Sequence, residues 1–162
     1  MSMIGCYCRL SKAKLAALKK NPSSVVAFLT TEDDPTRHID IDKAWDAIHF
    51  LLNGQKGEGS GPLHDAVLGG EVLAQDIFFA YGPVRCLTPS DVKKTVQALA
   101  DVPADELLKR FDAELLNDKE IYPRAWTGKK QDLEYIKNNY LRLVEFFGIA
   151  ADRGEAMLLY IN

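Results

Sequence analysis

The chain has 162 residues, 47% hydrophobic and 27% charged, with a net charge of −3. That is the composition of a globular protein, and the length predicts a single domain, 1–162, burying roughly two-thirds of its unfolded surface. The acidic balance argues against a dedicated nucleic-acid surface, and no apolar run approaches the roughly 18 residues that would cross a membrane.

The opening residues, Met1-Ser2-Met3-Ile4-Gly5-Cys6, lack the basic region and long apolar core of a signal peptide. Three cysteines, an odd number, do not make a disulfide framework, and a cytoplasmic location follows as the expectation. Cys6 and Cys8 share one face of a strand predicted over 3–10, where they read as small core thiols. With Cys86 they match no common zinc spacing. Ser11 then caps a helix running to Lys20, with Leu15 and Leu18 inward. The cluster Arg9, Lys12, Lys14, Lys19 and Lys20 is followed by Glu32-Asp33-Asp34 and reads as a solvated helix face. Pro22 opens a second short helical segment over 23–29, and 30–37 is an acidic loop.

The stretch from His38 to Gly54 reads as the start and body of one helix, with Asp40 or Asp42 as its cap and Gly54 as its left-handed end. Ile41, Trp45, Ile48 and Leu52 form its core stripe. Asp42, Asp46, His49 and Asn53 form a second, polar stripe between Trp45 and Phe50. A polar row between two apolar contacts is either the floor of a cleft or a buried hydrogen-bond network. The glycine-rich run 54–61 follows. It has no G-K-[ST] ending and no G-x-G-x-x-G register, so it reads as a flexible loop rather than a phosphate cradle.

A helical turn is expected at 63–68 and a strand over 76–87, with Gly82-Pro83 interrupting it at an edge or bulge. Thr88-Pro89-Ser90-Asp91 starts a helix sharply. Pro103 opens another. The last long helix, predicted over 130–151, carries Leu133, Ile136, Tyr140, Val144, Phe147 and Ala151 at helical spacing. A closing strand occupies 156–161. The order predicts an α+β fold, mainly helical, with a small, mostly antiparallel sheet joining the N- and C-terminal strands.

Several motifs resemble the YfbM-like bacterial proteins. They are Asp40-Ile41-Asp42-Lys43-Ala44-Trp45-Asp46-Ala47-Ile48-His49-Phe50, Tyr81-Gly82-Pro83 with Arg85, Leu87 and Pro89, Glu120-Ile121-Tyr122-Pro123, and Leu158-Leu159-Tyr160. The resemblance implies a cytoplasmic bacterial protein of α+β fold in a family of unknown function, and it supplies no catalytic residues. Its recurring residues, Asp42, Lys43, Trp45, Asp46, His49, Arg85 and Tyr122, are taken as a candidate binding site. Arg85 offers a five-donor fork suited to a carboxylate or phosphate, or an ion pair with Asp42, Asp46 or Glu120 that holds helix to sheet. Tyr122, before a proline, is expected to be extended, with its ring packed.

Neither a hydrolase elbow, H-E-x-x-H, a kinase signature nor a Walker motif is present. Two expectations follow. The first is a non-catalytic protein-binding module, of immunity or adaptor type, that presents the acidic row of the 42–53 helix to a protein partner. The second is a small enzyme or a ligand- or metal-sensing protein with His49 as base or ligand and Arg85 orienting an anion. No cofactor and no metal site is assigned, neither nucleic acid nor membrane is expected as a partner, and the chain is read as a monomer or homodimer.

Overall fold

The computed structural model describes residues 1–162, and its two ends pair with each other. Strand β1 (Gly5–Leu10) lies beside β2 (His38–Asp40) on one side and beside the closing strand β7 (Ala156–Ile161) on the other. With β3 (Glu71–Val72) and β6 (Arg85–Leu87), the sheet takes the antiparallel order β2-β1-β7-β6-β3. A separate hairpin pairs β4 (Phe78–Phe79) with β5 (Gly82–Pro83). The expected α+β class, with the terminal strands joined, is what the chain adopts. Pro83 is tolerated because its two-stranded hairpin is all edge.

Helices cover both faces of the sheet. Strand alternation sends Cys8, Leu10, Cys86, Ala156 and Leu158 to one side. There they pack with Leu15 and Leu18 of α1 (Lys12–Lys20) and Val25 and Leu29 of α2 (Val25–Thr31). Tyr7, Leu87, Met157 and Leu159 point the other way into the larger core. That core is shared with α3 (Trp45–Asn53), α5 (Pro89–Ala100), α6 (Ala104–Leu108), α7 (Ala113–Asp118) and α8 (Lys130–Asp152). The short α4 (Pro62–Asp65) leads into Ala66 and Val67 of the same core. No helix is long and apolar enough to cross a membrane.

Local signals account for much of this. Ser11 accepts the Lys14 amide at the start of α1, and Thr88 and Asp91 form a reciprocal capping box at the start of α5. Gly54 closes α3 in the left-handed region, φ 74. Other expectations are corrected. His38–Asp40 is a strand, not the lead-in to a helix, because pairing with Tyr7 and its neighbours offers its backbone a full ladder. Asp42 adopts φ 45 at the turn, and a 3₁₀ segment, Asp42–Ala44, precedes α3. Asp40 accepts the Asp42 amide and so caps the turn rather than the helix.

In α8 the buried stripe runs Ile136, Tyr140, Leu143, Phe147 and Ala150, with Phe146 beside it. Val144 and Ala151 of the expected stripe lie half-buried at its flank. Arg9 leaves the solvated basic cluster altogether. It is 2% exposed, with Glu155 at 3.3 Å, the Thr36 carbonyl at 2.7 Å and the Phe146 ring beneath it. The four lysines of that cluster remain exposed.

Candidate functional site

The polar row of α3 is engaged almost entirely with the protein itself, and each member fastens a different segment. The Tyr135 hydroxyl of α8 donates to Asp42 at 2.9 Å and accepts the Lys43 amide at 3.0 Å. Asp46 Oδ2 accepts the Tyr122 amide at 2.8 Å, tying down the segment after α7. His49 Nε2 lies 3.1 Å from the Glu58 carbonyl, so the glycine-rich loop closes over this ring. Asn53 donates to the carbonyl of His49 and, across the chain, to that of Leu63.

His49 is fully buried. A carbonyl only accepts, so Nε2 carries the hydrogen, and Nδ1 is left to accept from Asn53. Both contacts fit the neutral ring. Burial pushes its pKa down to about 4, partly opposed by the Glu58 carbonyl, with the edge-on His64 adding to the depression. No three His, Cys, Asp or Glu side chains converge as a metal-binding set.

One part of the row does reach open space. Trp45, Asp46 and Tyr122 line a cleft of about 340 Å³ with Met3, Lys56, Glu120, Pro123 and Arg124. The rings of Trp45 and Tyr122 stack at 6.1 Å with 25° between their planes. Backbone contacts fix both rings: the Trp45 indole donates to the Met3 carbonyl at 3.2 Å, and the Met3 amide donates to the Tyr122 hydroxyl at 3.1 Å. Asp46 is 4% exposed. Its Oδ1 has no protein partner, yet it is not sealed from solvent. Burial raises its pKa, against the Tyr122 amide and the positive charges of Lys56 and Arg124. The rim is mixed in charge. Lys56 donates to the Glu120 carbonyl at 2.9 Å, and Arg124 approaches the Glu120 carboxylate at 3.7 Å.

The structure therefore divides the seven candidate residues. Trp45, Asp46 and Tyr122 share the cleft. Asp42 and Lys43 lie at the β2–α3 junction under Tyr135, and His49 is sealed behind the loop. Arg85 is elsewhere and pairs with none of Asp42, Asp46 or Glu120, which corrects the expected ion pair. The cause is strand order: β7 and β1 stand between β6 and the α3 end of the sheet, at nearly 5 Å per strand.

Sequence reasoning missed Met3, Lys56 and Tyr135 as site residues. Lys56 is the one cation inside the glycine-rich run. Tyr135 sits one place off the Ile136 stripe, where a polar-tipped ring can pack and still reach across.

Comparisons with known proteins agree with this architecture. A family described as "Domain of unknown function (DUF1877)" matches residues 1–160. Protein YfbM of Escherichia coli (strain K12) is 30% identical over 127 residues, covering 76% of this chain and 74% of that protein. The crystal structure of YfbM from Escherichia coli, a protein of unknown function, superposes with a TM-score of 0.79 at 26% identity. It covers 98% of this chain and 99% of that one.

Proposed function

This chain belongs to the DUF1877 family, and we propose that it acts as a non-catalytic protein-binding module whose contact point is the Trp45–Asp46–Tyr122 cleft. The observation that carries this reading is a nearly buried carboxylate with one unengaged oxygen in the same cleft as a stacked Trp–Tyr pair. Tryptophan, tyrosine and arginine are the residue types that dominate binding hot spots, and methionine is enriched at interfaces with them. Here Met3, Trp45, Tyr122 and Arg124 meet around one cleft. Both rings are held before any partner arrives, which lowers the ordering cost of association. A partner loop would seat one side chain between rim and rings and donate a hydrogen bond to Asp46 Oδ1. An adaptor or immunity-type inhibitor works in this way.

The acidic row as a whole is not the proposed surface, since Asp42 and His49 are committed to internal contacts. Quantitative affinity capture from a lysate of the host cell tests the reading, comparing wild type with Asp46→Asn and Arg124→Ala. Asn retains an acceptor for the Tyr122 amide, and Arg124 is an exposed rim residue, so both variants are expected to fold. A partner enriched by wild type and lost with both variants is the expected result. Undiminished capture by both would overturn the cleft as the interface.

A further inference from the structure

A row of cross-strand neighbours crosses the core face of the sheet in the order Tyr7, Leu159, Arg85 and Val72, and partners of this kind project to the same side. Tyr7 and Leu159 are sealed in the core, so the apolar pattern calls for another hydrophobic residue at the next position. An arginine stands there instead. Arg9, Arg37, Arg124 and Arg153 all approach carboxylates, and Arg110 donates to the Leu51 carbonyl. Arg142 is exposed. Arg85 alone is half-buried with no acceptor from the protein. None of its nitrogens is shut off from solvent, in contrast to Arg9 Nε.

Arg85 lines a cavity of about 160 Å³ with Val67, Leu68, Tyr81, Pro83 and Leu159, and it is the only charged residue in that lining. Tyr81 is anchored there by its backbone, which donates to the Ile161 carbonyl at 3.1 Å. Its hydroxyl has no partner within the protein. Arg85 and the 43%-exposed Tyr81 thus bring two side chains without a protein hydrogen-bond partner to a mostly apolar lining, in a molecule whose overall charge is negative. This cavity is separate from the Trp45–Asp46 cleft and makes no use of it.

We propose that the Arg85 cavity binds a monocarboxylate carrying a short aliphatic body. A planar guanidinium matches a carboxylate with two parallel hydrogen bonds. Phosphate presents more oxygens than one guanidinium and one phenol satisfy, and apolar walls would strip its hydration without replacement. The volume is well under the roughly 300 Å³ at which drug-sized pockets begin, which limits the body to a few carbons. Such a group arrives either as a free organic acid or as the C-terminal carboxylate of a peptide ending in an aliphatic residue.

The test is an NMR titration of the whole chain with four probes: isovalerate, a short N-acetylated peptide ending in valine with a free carboxylate, the same peptide as its C-terminal amide, and inorganic phosphate. The expected result is saturable shifts at the Gly82, Arg85 and Leu159 amides with at least one of the two carboxylates, and none with the amide or phosphate. Response to isovalerate alone identifies a free acid, and response to the peptide alone identifies a chain terminus. Arg85→Gln, checked for an unchanged melting temperature, should weaken binding about tenfold or more. Silence from both carboxylates, phosphate binding as tightly as they do, or equal affinity in a folded Arg85→Gln protein would overturn the proposal. Should that variant fail to fold, the acid-against-amide comparison on wild type decides alone.

Discussion

Replacing Asp46 by alanine and by asparagine separates what this side chain does for the fold from what it offers a partner. In the native chain Asp46 is 4% exposed and holds the Tyr122 amide at 2.8 Å. Alanine deletes the acceptor and leaves that amide unpaired, a loss of about 1–3 kcal/mol. For a chain of this length each kcal/mol is worth about 2–4 °C, so the melting temperature should fall by about 2–12 °C. Asparagine keeps an oxygen in place and removes the charge that burial disfavours. Its stability at neutral pH should equal or exceed that of wild type.

The pH dependence carries a definite sign. The folded-state pKa of Asp46 is raised above its ordinary value of 3.8, so its contribution is fully present below that value. It is lost as pH rises through the raised folded value. Wild type should therefore lose stability relative to Asp46→Asn across that window, and the difference should be constant above it. Urea unfolding of the three proteins over a pH series measures this directly. If Asp46→Ala were as stable as wild type, or if asparagine were as damaging as alanine, the Tyr122 contact would not be what holds this segment.

His49 runs the opposite way. Its pKa falls from 6.5 to about 4 in the folded chain, so the stability it contributes is present above 6.5 and is lost as pH falls toward 4. Replacing it by leucine should flatten that limb of the stability profile, and an NMR titration placing its midpoint near 6.5 would refute the sealed-ring geometry. Gly5→Ala probes the seat of Trp45. A Cβ at this position would lie 2.7 Å from Trp45 Cβ and 3.1 Å from the buried Ile41 side chain, so one of them must move. Overpacking of this kind costs about 1–3 kcal/mol. Thermal unfolding should show the loss, together with altered Trp45 fluorescence; an unchanged melting temperature would mean that the indole is not fixed where it lies.

The elements that were legible in the sequence are those whose signals are local. Ser11, the Thr88–Asp91 box and Gly54 name their own helix ends, and the apolar run 156–161 has no reading but a buried strand. The failures share a different cause. His38–Asp40 carries too few residues to show a period, and it becomes a strand only because β1 offers it a ladder. Glu71–Val72 is likewise a strand by virtue of β6. Helix α7 buries a single residue, Leu116, behind a cap, Asp112, that accepts the Leu115 amide, and neither is distinctive in isolation. Arg9 shows the limit most sharply. Adjacent lysines suggested a solvated face, yet strand alternation turns Arg9 inward toward Glu155, a residue 146 positions away.

Helical spacing groups Asp46, His49 and Asn53 within α3, while Asp42 falls in the turn before it, and spacing says nothing about what arrives to cover these residues. Four different segments do arrive: α8, the Tyr122 segment, the Glu58 loop and the Leu63 turn. They engage most of the groups that made the row look reactive, and one oxygen of Asp46 stays unpaired in the cleft that Trp45 and Tyr122 also line. Arg85 is the complementary case. The sequence offered three carboxylates as partners, and the strand order puts β1 and β7 between them and it. What looked like one constellation is thus two separate places, a carboxylate with one oxygen unpaired and a guanidinium without a protein acceptor. Their independence is itself testable: Arg85→Gln should leave partner capture at the Asp46 cleft unchanged, and Asp46→Asn should leave carboxylate binding unchanged.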